Sequence, residues 1–241
     1  MLQVIESLQR VVVVTGSFGS GKSEFSLNLA ISMAEEARKL GQVIALADLD
    51  IINPYFRTRE ACALLEEKGI KPIVPSPEVL YSDLPIYGPG IHNLLHQDDV
   101  RLILDVGGDE MGATALGSLS GEISNSEHSM VMVVNPYRPF THDVAGIGRM
   151  ARGIEARARL KIHALISNPN LGPNTTAEAV MKGHHIVRAA AAELRLPVVG
   201  LLVLRRFLKL WEDRLVTEAG SIPVVPIDIH LSPWWLQQKM R

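Results

Sequence analysis

Cysteine, long apolar runs and an excess of charge of one sign are all scarce or absent in this sequence. Cys62 is the single cysteine among 241 residues, which excludes an intramolecular disulfide and a Cys₄ metal site and is typical of a reducing compartment. No apolar run approaches the roughly 18 residues of a membrane-spanning helix, and no signal peptide is recognisable. We therefore expect a cytoplasmic protein without a transmembrane segment.

The charge is nearly balanced, with 24 Lys and Arg against 26 Asp and Glu. This balance argues against a dedicated nucleic-acid binder, so we do not expect nucleic acid as a partner. Hydrophobic residues make up 47% of the chain and charged residues 21%, which excludes disorder. The length predicts one domain over residues 1–241, with a tail at 221–241 that packs on that domain or on a partner.

Short β-branched runs alternate with helical patterns along the chain. Thr175 and Glu178 have the spacing of a capping box, which would open a helix that ends near Leu194. A further helix is expected at 23–40, with an edge strand at 73–74. The other expected strands are 11–15, 43–47, 101–106, 130–135, 162–167, 198–204 and 222–227. Such alternation predicts an α/β fold, a mostly parallel sheet with helices on both faces.

A glycine-rich loop follows the first expected strand and matches the pattern G-x-x-x-x-G-K-[ST]. Its glycines let successive backbone N–H groups point at an anion, and the helix that follows presents its positive end to the same anion. The lysine would reach the β- and γ-phosphates, and the final hydroxyl would bind Mg²⁺. The alternative is a glycine-rich turn with an incidental lysine. The predicted phosphate-binding residues are Gly16, Ser17, Phe18, Gly19, Ser20, Gly21, Lys22 and Ser23.

Three aspartates near strand ends are candidates for the magnesium and water chemistry. Asp105 ends an apolar strand before Gly107 and Gly108, so it would serve the metal, and the Gly108 N–H would meet the γ-phosphate. Asp48 and Asp50 have i, i+2 spacing, and their like charges need a cation or water nearby. We assign Asp50 to positioning the attacking water and Asp48 to the outer metal sphere. The alternatives are a cap or turn role for Asp105 and simple solvation of the loop for the other pair.

With these residues placed, the chain resembles the MinD/ParA/CobQ-CobB-type nucleotide-binding family of P-loop proteins. The resemblance rests on segments 16–24, 45–60, 102–110, 133–141 and 165–170. It implies that the phosphate-loop strand and the Asp-Gly strand are neighbours, that ATP·Mg²⁺ is bound and slowly hydrolysed, and that nucleotide-switched dimers form. It also implies that Asn168 contacts adenine, and the alternative is a turn residue before Pro169. Leu171 stands where a guanine-reading Asp would be, which favours ATP over GTP.

The chain departs from that family at two places. Many members carry a second lysine one residue after the first loop glycine, and Ser17 occupies that position here. Cross-subunit activation by that lysine is therefore not expected, and a homodimer is only one option. A Cys-x-Cys metal clasp is also missing, which argues against a bridging iron–sulfur cluster.

Several weaker features were weighed as partner or metal sites. His92 and His96 have metal-binding spacing but lack a third ligand, so they predict a solvated helix face, and His184 and His185 lean in opposite directions on another helix. A basic stretch from Arg149 to Lys161 is also interpreted as a solvated face. The side chains best suited to a protein partner are Tyr55, Phe56, Arg57 and Arg59, and the tail residues 233–236 are expected to dock on the domain or on a partner.

Two main functions remain open from the sequence, and a DNA-associated partition or positioning role is a third, weaker alternative. The first is an ATP·Mg²⁺-binding ATPase that acts as a nucleotide-dependent switch or accessory factor for a partner protein. The second is an ATP-dependent small-molecule ligase or synthase of the dethiobiotin-synthetase/cobyrinate-amidase kind, which shares the fold, lacks the extra lysine and would need an acceptor pocket near residues 83–90.

Overall fold

A computed structural model describes residues 1–49, 62–73, 89–107 and 110–231. Asp50, Gly108, the candidate partner residues 55–59, residues 83–88 of the candidate acceptor region 83–90 and the part of the predicted tail from 232 onward lie outside the described residues. The predictions made for them therefore stay predictions. Among the described residues, no helix combines the length and the apolar character needed to cross a membrane.

One parallel sheet runs through the molecule, in the order β3-β2-β4-β1-β5-β6-β7-β8. Its strands are β1 Val11–Thr15, β2 Val43–Leu49, β3 Ile70–Ile73, β4 Val100–Val106, β5 His128–Val134, β6 Ala164–Ser167, β7 Val198–Leu204 and β8 Val224–Ile227. The helices are α1 Leu2–Glu6, α2 Lys22–Lys39, α3 Cys62–Glu67, α4 Pro89–Leu95, α5 Glu110–Ser124, α6 Val144–Ala158, α7 Ala177–Leu194 and α8 Arg205–Ala219. The predicted α/β class is confirmed, and β1 is indeed the neighbour of β4.

The two faces of the sheet are buried separately because alternate strand residues point to opposite sides. Val11 and Val13 pack with α4, α5, α6 and α7 on one face. Val12 and Val14 pack with α1, α2 and α3 on the other. All four valines are fully buried, which is why this strand has a continuous apolar run rather than an alternating one.

The edge strand differs most from its prediction. It covers Ile70–Ile73 and so begins before the predicted 73–74, of which residue 74 lies outside the described residues. Among the described strands it pairs with β2 alone. Pro72 lacks a backbone N–H and is tolerated because an edge strand leaves one side unpaired. The last strand is also shorter than expected, Val224–Ile227, while the first and seventh strands have the predicted bounds.

The predicted capping box at α7 is wrong by one residue. Thr176, not Thr175, is the N-cap, and its side chain accepts a hydrogen bond from the Ala179 N–H. Thr175 Oγ1 instead donates to the Gly172 carbonyl in the preceding 3₁₀ turn. Glu178 therefore lies too early in the helix to complete a box, although it still favours the positive end of the helix dipole.

Candidate functional site

The glycine-rich loop connects the carboxyl end of β1 to the first turn of α2. Gly16 has φ of +147° and Gly21 has φ of +92°, values that residues other than glycine rarely adopt. Space excludes a side chain as well. A Cβ on Gly16 would lie 2.3 Å from the Val133 carbonyl oxygen, and one on Gly21 would lie 2.3 Å from Asn168 Nδ2. The glycines are thus required by the fold around the loop.

The N-terminus of α2 is open toward the loop. Gly21 is its N-cap and provides no side-chain cap for the first N–H groups. These N–H groups carry the positive end of the dipole of an 18-residue helix, an arrangement suited to an anion. Lys22 and Ser23 begin this helix and are only 2% and 5% exposed. The predicted phosphate-binding lysine and metal-binding hydroxyl therefore lie side by side at the positive end of the helix dipole.

Buried polar atoms around this loop are left unsatisfied by the described residues. Ser17 Oγ, Ser20 Oγ and Asn168 Oδ1 are buried and have no hydrogen-bond partner there. Buried polar atoms normally have partners, so a group of unsatisfied atoms in one place calls for a ligand or ordered water. Phe18, by contrast, is 69% exposed at the tip of the loop. The arrangement fits a polar, anionic ligand seated on the loop with the phenyl ring at its rim.

Two carboxylates lie next to the phosphate loop. Asp48 and Asp105 are direct register partners in the β2–β4 pair, and they are 5% and 1% exposed. Ile103, two residues before Asp105, packs on the face of the sheet that α2 covers, so strand alternation points both carboxylates toward that helix. The predicted metal residues Ser23, Asp48 and Asp105 thus converge on one region.

Asn168 braces the loop rather than only facing a base. Its Nδ2 donates to the Ser20 carbonyl oxygen at 2.7 Å, and its own backbone N–H donates to the Val134 carbonyl. Asn168 therefore ties the end of β6 to both β5 and the loop. The predicted adenine contact would be made by the same side-chain amide, through Asn168 Oδ1, which has no hydrogen-bond partner among the described residues.

Sequence analysis missed two residues beside this loop, Asn135 and Arg138. Asn135 Oδ1 accepts from the Tyr137 N–H, and its Nδ2 donates to the Asn170 carbonyl at 2.9 Å. Arg138 Nε donates to the Gly19 carbonyl at 2.9 Å. One available signal was overlooked: the dipeptide Asn-Pro follows both β5 and β6, at residues 135–136 and 168–169.

The segment after β8 is held against the same helix. The Glu24 carboxylate accepts the N–H groups of His230 and Leu231 at 3.0 and 2.8 Å. Asn28, one turn later, bonds both the N–H and the carbonyl of Asp228. Residues 228–231, which belong to the predicted tail at 221–241, therefore cross α2 close to the phosphate loop.

His92 and His96 contact a carboxylate on a neighbouring helix. His92 Nδ1 and His96 Nε2 lie 2.7 and 3.4 Å from the two carboxylate oxygens of Glu122, at an exposed surface. The described part of the chain contains no group of three His, Cys, Asp or Glu residues placed to hold a metal.

His184 is fully buried, with Nδ1 3.0 Å from Ser167 Oγ, whereas His185 is exposed. Burial, aided by the Arg188 charge, lowers the pKa of His184 to about 4.

Comparison with known proteins yields solved structures only. No family model matches the chain, and no curated protein matches it in sequence. A nucleotide-binding protein from Archaeoglobus fulgidus, in complex with ADP, is 16% identical with a TM-score of 0.46, over 91% of this chain and 93% of that one.

Two FtsY structures are similar enough for a fold comparison. FtsY from Mycoplasma mycoides is 17% identical with a TM-score of 0.51, over 79% of this chain and 59% of that one. Chloroplast FtsY from Physcomitrella patens is 16% identical with a TM-score of 0.50, over 78% of this chain and 57% of that one. The match thus spans less than two thirds of either FtsY chain. At these identities the likeness concerns the fold alone, a parallel α/β sheet with helices on both faces.

Proposed function

We propose that this protein binds ATP·Mg²⁺ at the carboxyl edge of its sheet and hydrolyses the nucleotide slowly, as a nucleotide-dependent switch or accessory factor for a partner protein. The observation that carries the proposal is the open N-terminus of α2, where Lys22 and Ser23 lie buried beside unsatisfied hydroxyl and amide atoms. A helix end, a glycine loop and a lysine together favour a polyphosphate.

The residues present also suit a magnesium ion. Mg²⁺ prefers oxygen ligands and keeps several of its waters, so a hydroxyl, two nearby carboxylates and the phosphates of a nucleotide suit it. Ser23 would bind the ion directly, and Asp48 and Asp105 would hold it through water. The bound ion would neutralise charge that develops on the phosphates during hydrolysis.

Turnover requires a group that positions water. We assign this role to Asp50, two residues beyond Asp48, and we assign the γ-phosphate contact to the Gly108 N–H. Both follow strands whose carboxyl ends lie at the site, where ligands bind in open parallel sheets. An Asp50→Asn variant should keep ATP affinity and lose hydrolysis by about 10²–10⁴-fold. If Asp50→Asn hydrolyses ATP at the wild-type rate, another acid such as Glu110 positions the water.

Adenine is the proposed base. Asn168 is placed at the loop, and Leu171, 42% exposed, replaces the carboxylate that a guanine-specific site would use.

The pattern of loop, Asp-Gly strand and Asn also supports membership of the MinD/ParA/CobQ-CobB-type group. A cytoplasmic location, a protein partner and a nucleotide-linked homodimer are part of the same proposal.

Calorimetric titration with ATP, GTP and Mg²⁺ tests this function. We expect ATP·Mg²⁺ to bind more tightly than GTP·Mg²⁺, and Lys22→Ala to abolish both. Lys39→Ala is the matched control because Lys39 is an exposed lysine at the other end of α2. Equal or tighter binding of GTP would reject the adenine assignment, and unchanged binding by Lys22→Ala would reject the site.

Ser17 favours the ligase or synthase as a second candidate. The Ser17 side chain is buried and neutral at the position where many family members have a lysine that reaches across the dimer. The site therefore lacks the positive charge by which that lysine would activate hydrolysis in the partner subunit. Hydrogen exchange separates the two functions. A switch predicts different protection of residues 53–60 and 107–112 with ADP and with a non-hydrolysable ATP analogue. Equal protection in both complexes would favour the ligase.

A further inference from the structure

A second cation lies at the phosphate loop. Arg138 Nε donates to the Gly19 carbonyl at 2.9 Å, although the two residues are far apart in sequence. A Cβ on Gly19 would lie 3.0 Å from that Nε. The guanidinium therefore rests against the loop backbone, while the side chain as a whole remains exposed to solvent.

The connection that carries Arg138 is held in place by its own hydrogen bonds. It follows β5, which is paired directly with β1. The Arg138 N–H donates to the Asn135 carbonyl at 3.2 Å, and Thr141 Oγ1 donates to the same carbonyl at 2.7 Å. Asn135 Oδ1 accepts from the Tyr137 N–H. Arg138 thus projects from an ordered turn, which lowers the entropy cost of using it to bind a ligand.

The charge of the site also calls for a second cation. A nucleoside triphosphate carries more negative charge than Lys22 and Mg²⁺ together neutralise. The carboxylates of Asp48 and Asp105 add to this excess of negative charge. Ser17 contributes no charge. A guanidinium has five N–H donors in a plane, so a bond from Nε to a carbonyl leaves the two Nη groups for phosphate oxygens.

We propose that Arg138 contacts the phosphate chain of the bound nucleotide and supplies, within the same subunit, the second positive charge of the site. This inference rests on the proposed nucleotide binding. In hydrolysis, water adds to the terminal phosphorus and the bond to the bridging oxygen breaks. The electron pair of that bond stays on the nucleoside diphosphate. One proton of the water remains on the released phosphate as its hydroxyl, and the other is lost to solvent. Arg138 stabilises the charge that develops on the phosphate oxygens, as a preplaced cation does.

The test compares Arg138→Gln with Arg138→Lys and uses Arg149→Gln as control. Gln keeps a donor for the Gly19 carbonyl but removes the charge, and Lys keeps the charge. Arg149 is an exposed arginine in the first turns of α6, away from the loop. Affinities for ATP·Mg²⁺, ADP·Mg²⁺ and adenosine are measured by calorimetry at two salt concentrations, and turnover is measured by phosphate release. Melting temperatures check that each variant is folded.

For Arg138→Gln we expect ATP affinity to fall about tenfold or more, ADP affinity to fall less, and adenosine affinity to stay unchanged. Turnover should fall by about 10²-fold or more, and the salt dependence of ATP binding should weaken. Arg138→Lys should recover part of the affinity, and Arg149→Gln should behave as wild type.

Three results would overturn the inference in distinguishable ways. Wild-type affinity and turnover in Arg138→Gln would remove Arg138 from the site while leaving the proposed function intact. An equal loss for ATP and adenosine would show that Arg138 only braces the loop. Absence of nucleotide binding by the wild-type protein would reject the proposed function and this inference together.

Discussion

Asp48 and Asp105 stand directly opposite each other on adjacent parallel strands, with both carboxylates almost fully buried beside the N-terminus of α2. Two like charges this close are unfavourable unless cations share the space. Lys22 is one such cation at the same helix end, and a magnesium ion with a phosphate ligand would be another. Binding of a cation should therefore reduce the repulsion between the two carboxylates and stabilise the folded protein.

Neutralising one carboxylate should weaken the metal-dependent part of nucleotide binding. In Asp105→Asn we expect ATP affinity with Mg²⁺ to fall by about 10–100-fold, whereas affinity without Mg²⁺ is unchanged or improved because a negative charge near the phosphates is gone. Titrations with and without Mg²⁺ measure this. Asp99→Asn, at the exposed approach to the same strand, should change neither value. A variant that retains full magnesium dependence would remove Asp105 from the metal site.

A side chain at Gly21 should disrupt both the loop and its brace. In Gly21→Ala the added methyl group would meet Asn168 Nδ2 at 2.3 Å, at a φ of +92°, so we expect a stability loss of about 1–3 kcal/mol and loss of nucleotide binding. Denaturant unfolding and calorimetry measure the two effects. Gly121→Ala is the matched control, since its Cβ meets no atom within 4 Å. That change should stabilise α5 by about 0.5–1 kcal/mol. Comparable effects of the two substitutions would contradict the steric account.

His184 should make stability depend on pH. Burial lowers its pKa from 6.5 to about 4, so between these values the unfolded chain binds a proton that the folded protein does not. The stability contributed by the neutral imidazole is complete above about pH 6.5 and is lost as the pH falls toward 4. Between pH 7 and pH 5, wild type should lose about 2 kcal/mol more than His184→Gln. An equal pH slope in wild type and in His184→Gln would show that His184 is not the titrating group.

The bonds between Glu24 and the chain after β8 should hold that segment on the domain. Glu24→Ala removes the acceptor for the His230 and Leu231 N–H groups. We expect a stability loss of about 1–2 kcal/mol and faster proteolysis near residues 228–231. Glu35→Ala removes an exposed acid whose partner is Lys39, and it should leave both measurements near wild type. Proteolysis at the wild-type rate in Glu24→Ala would show that other contacts hold the segment.

Local sequence determined the order of strands and helices and the location of the phosphate loop. The run Val11–Thr15 predicts a buried strand from its β-branched residues alone, and the spacing of glycines and Lys22 predicts the loop, because both depend on neighbours in the chain. Boundaries were less predictable. Thr175 and Thr176 are equivalent as caps by composition, and the 3₁₀ turn before them decides which one caps α7.

Only the tertiary structure decided which distant residues meet at the loop. The opposition of Asp48 and Asp105 depends on the order and register of the sheet, and the contacts of Asn168 and Arg138 with the loop depend on β5 and β6 lying beyond β1. The burial of His184 likewise depends on how α7 packs. No periodicity or spacing records these relationships, because long-range contacts follow from strand order and not from local pattern. The sequence by itself thus determined the phosphate loop, and the fold of the whole sheet supplied its surroundings.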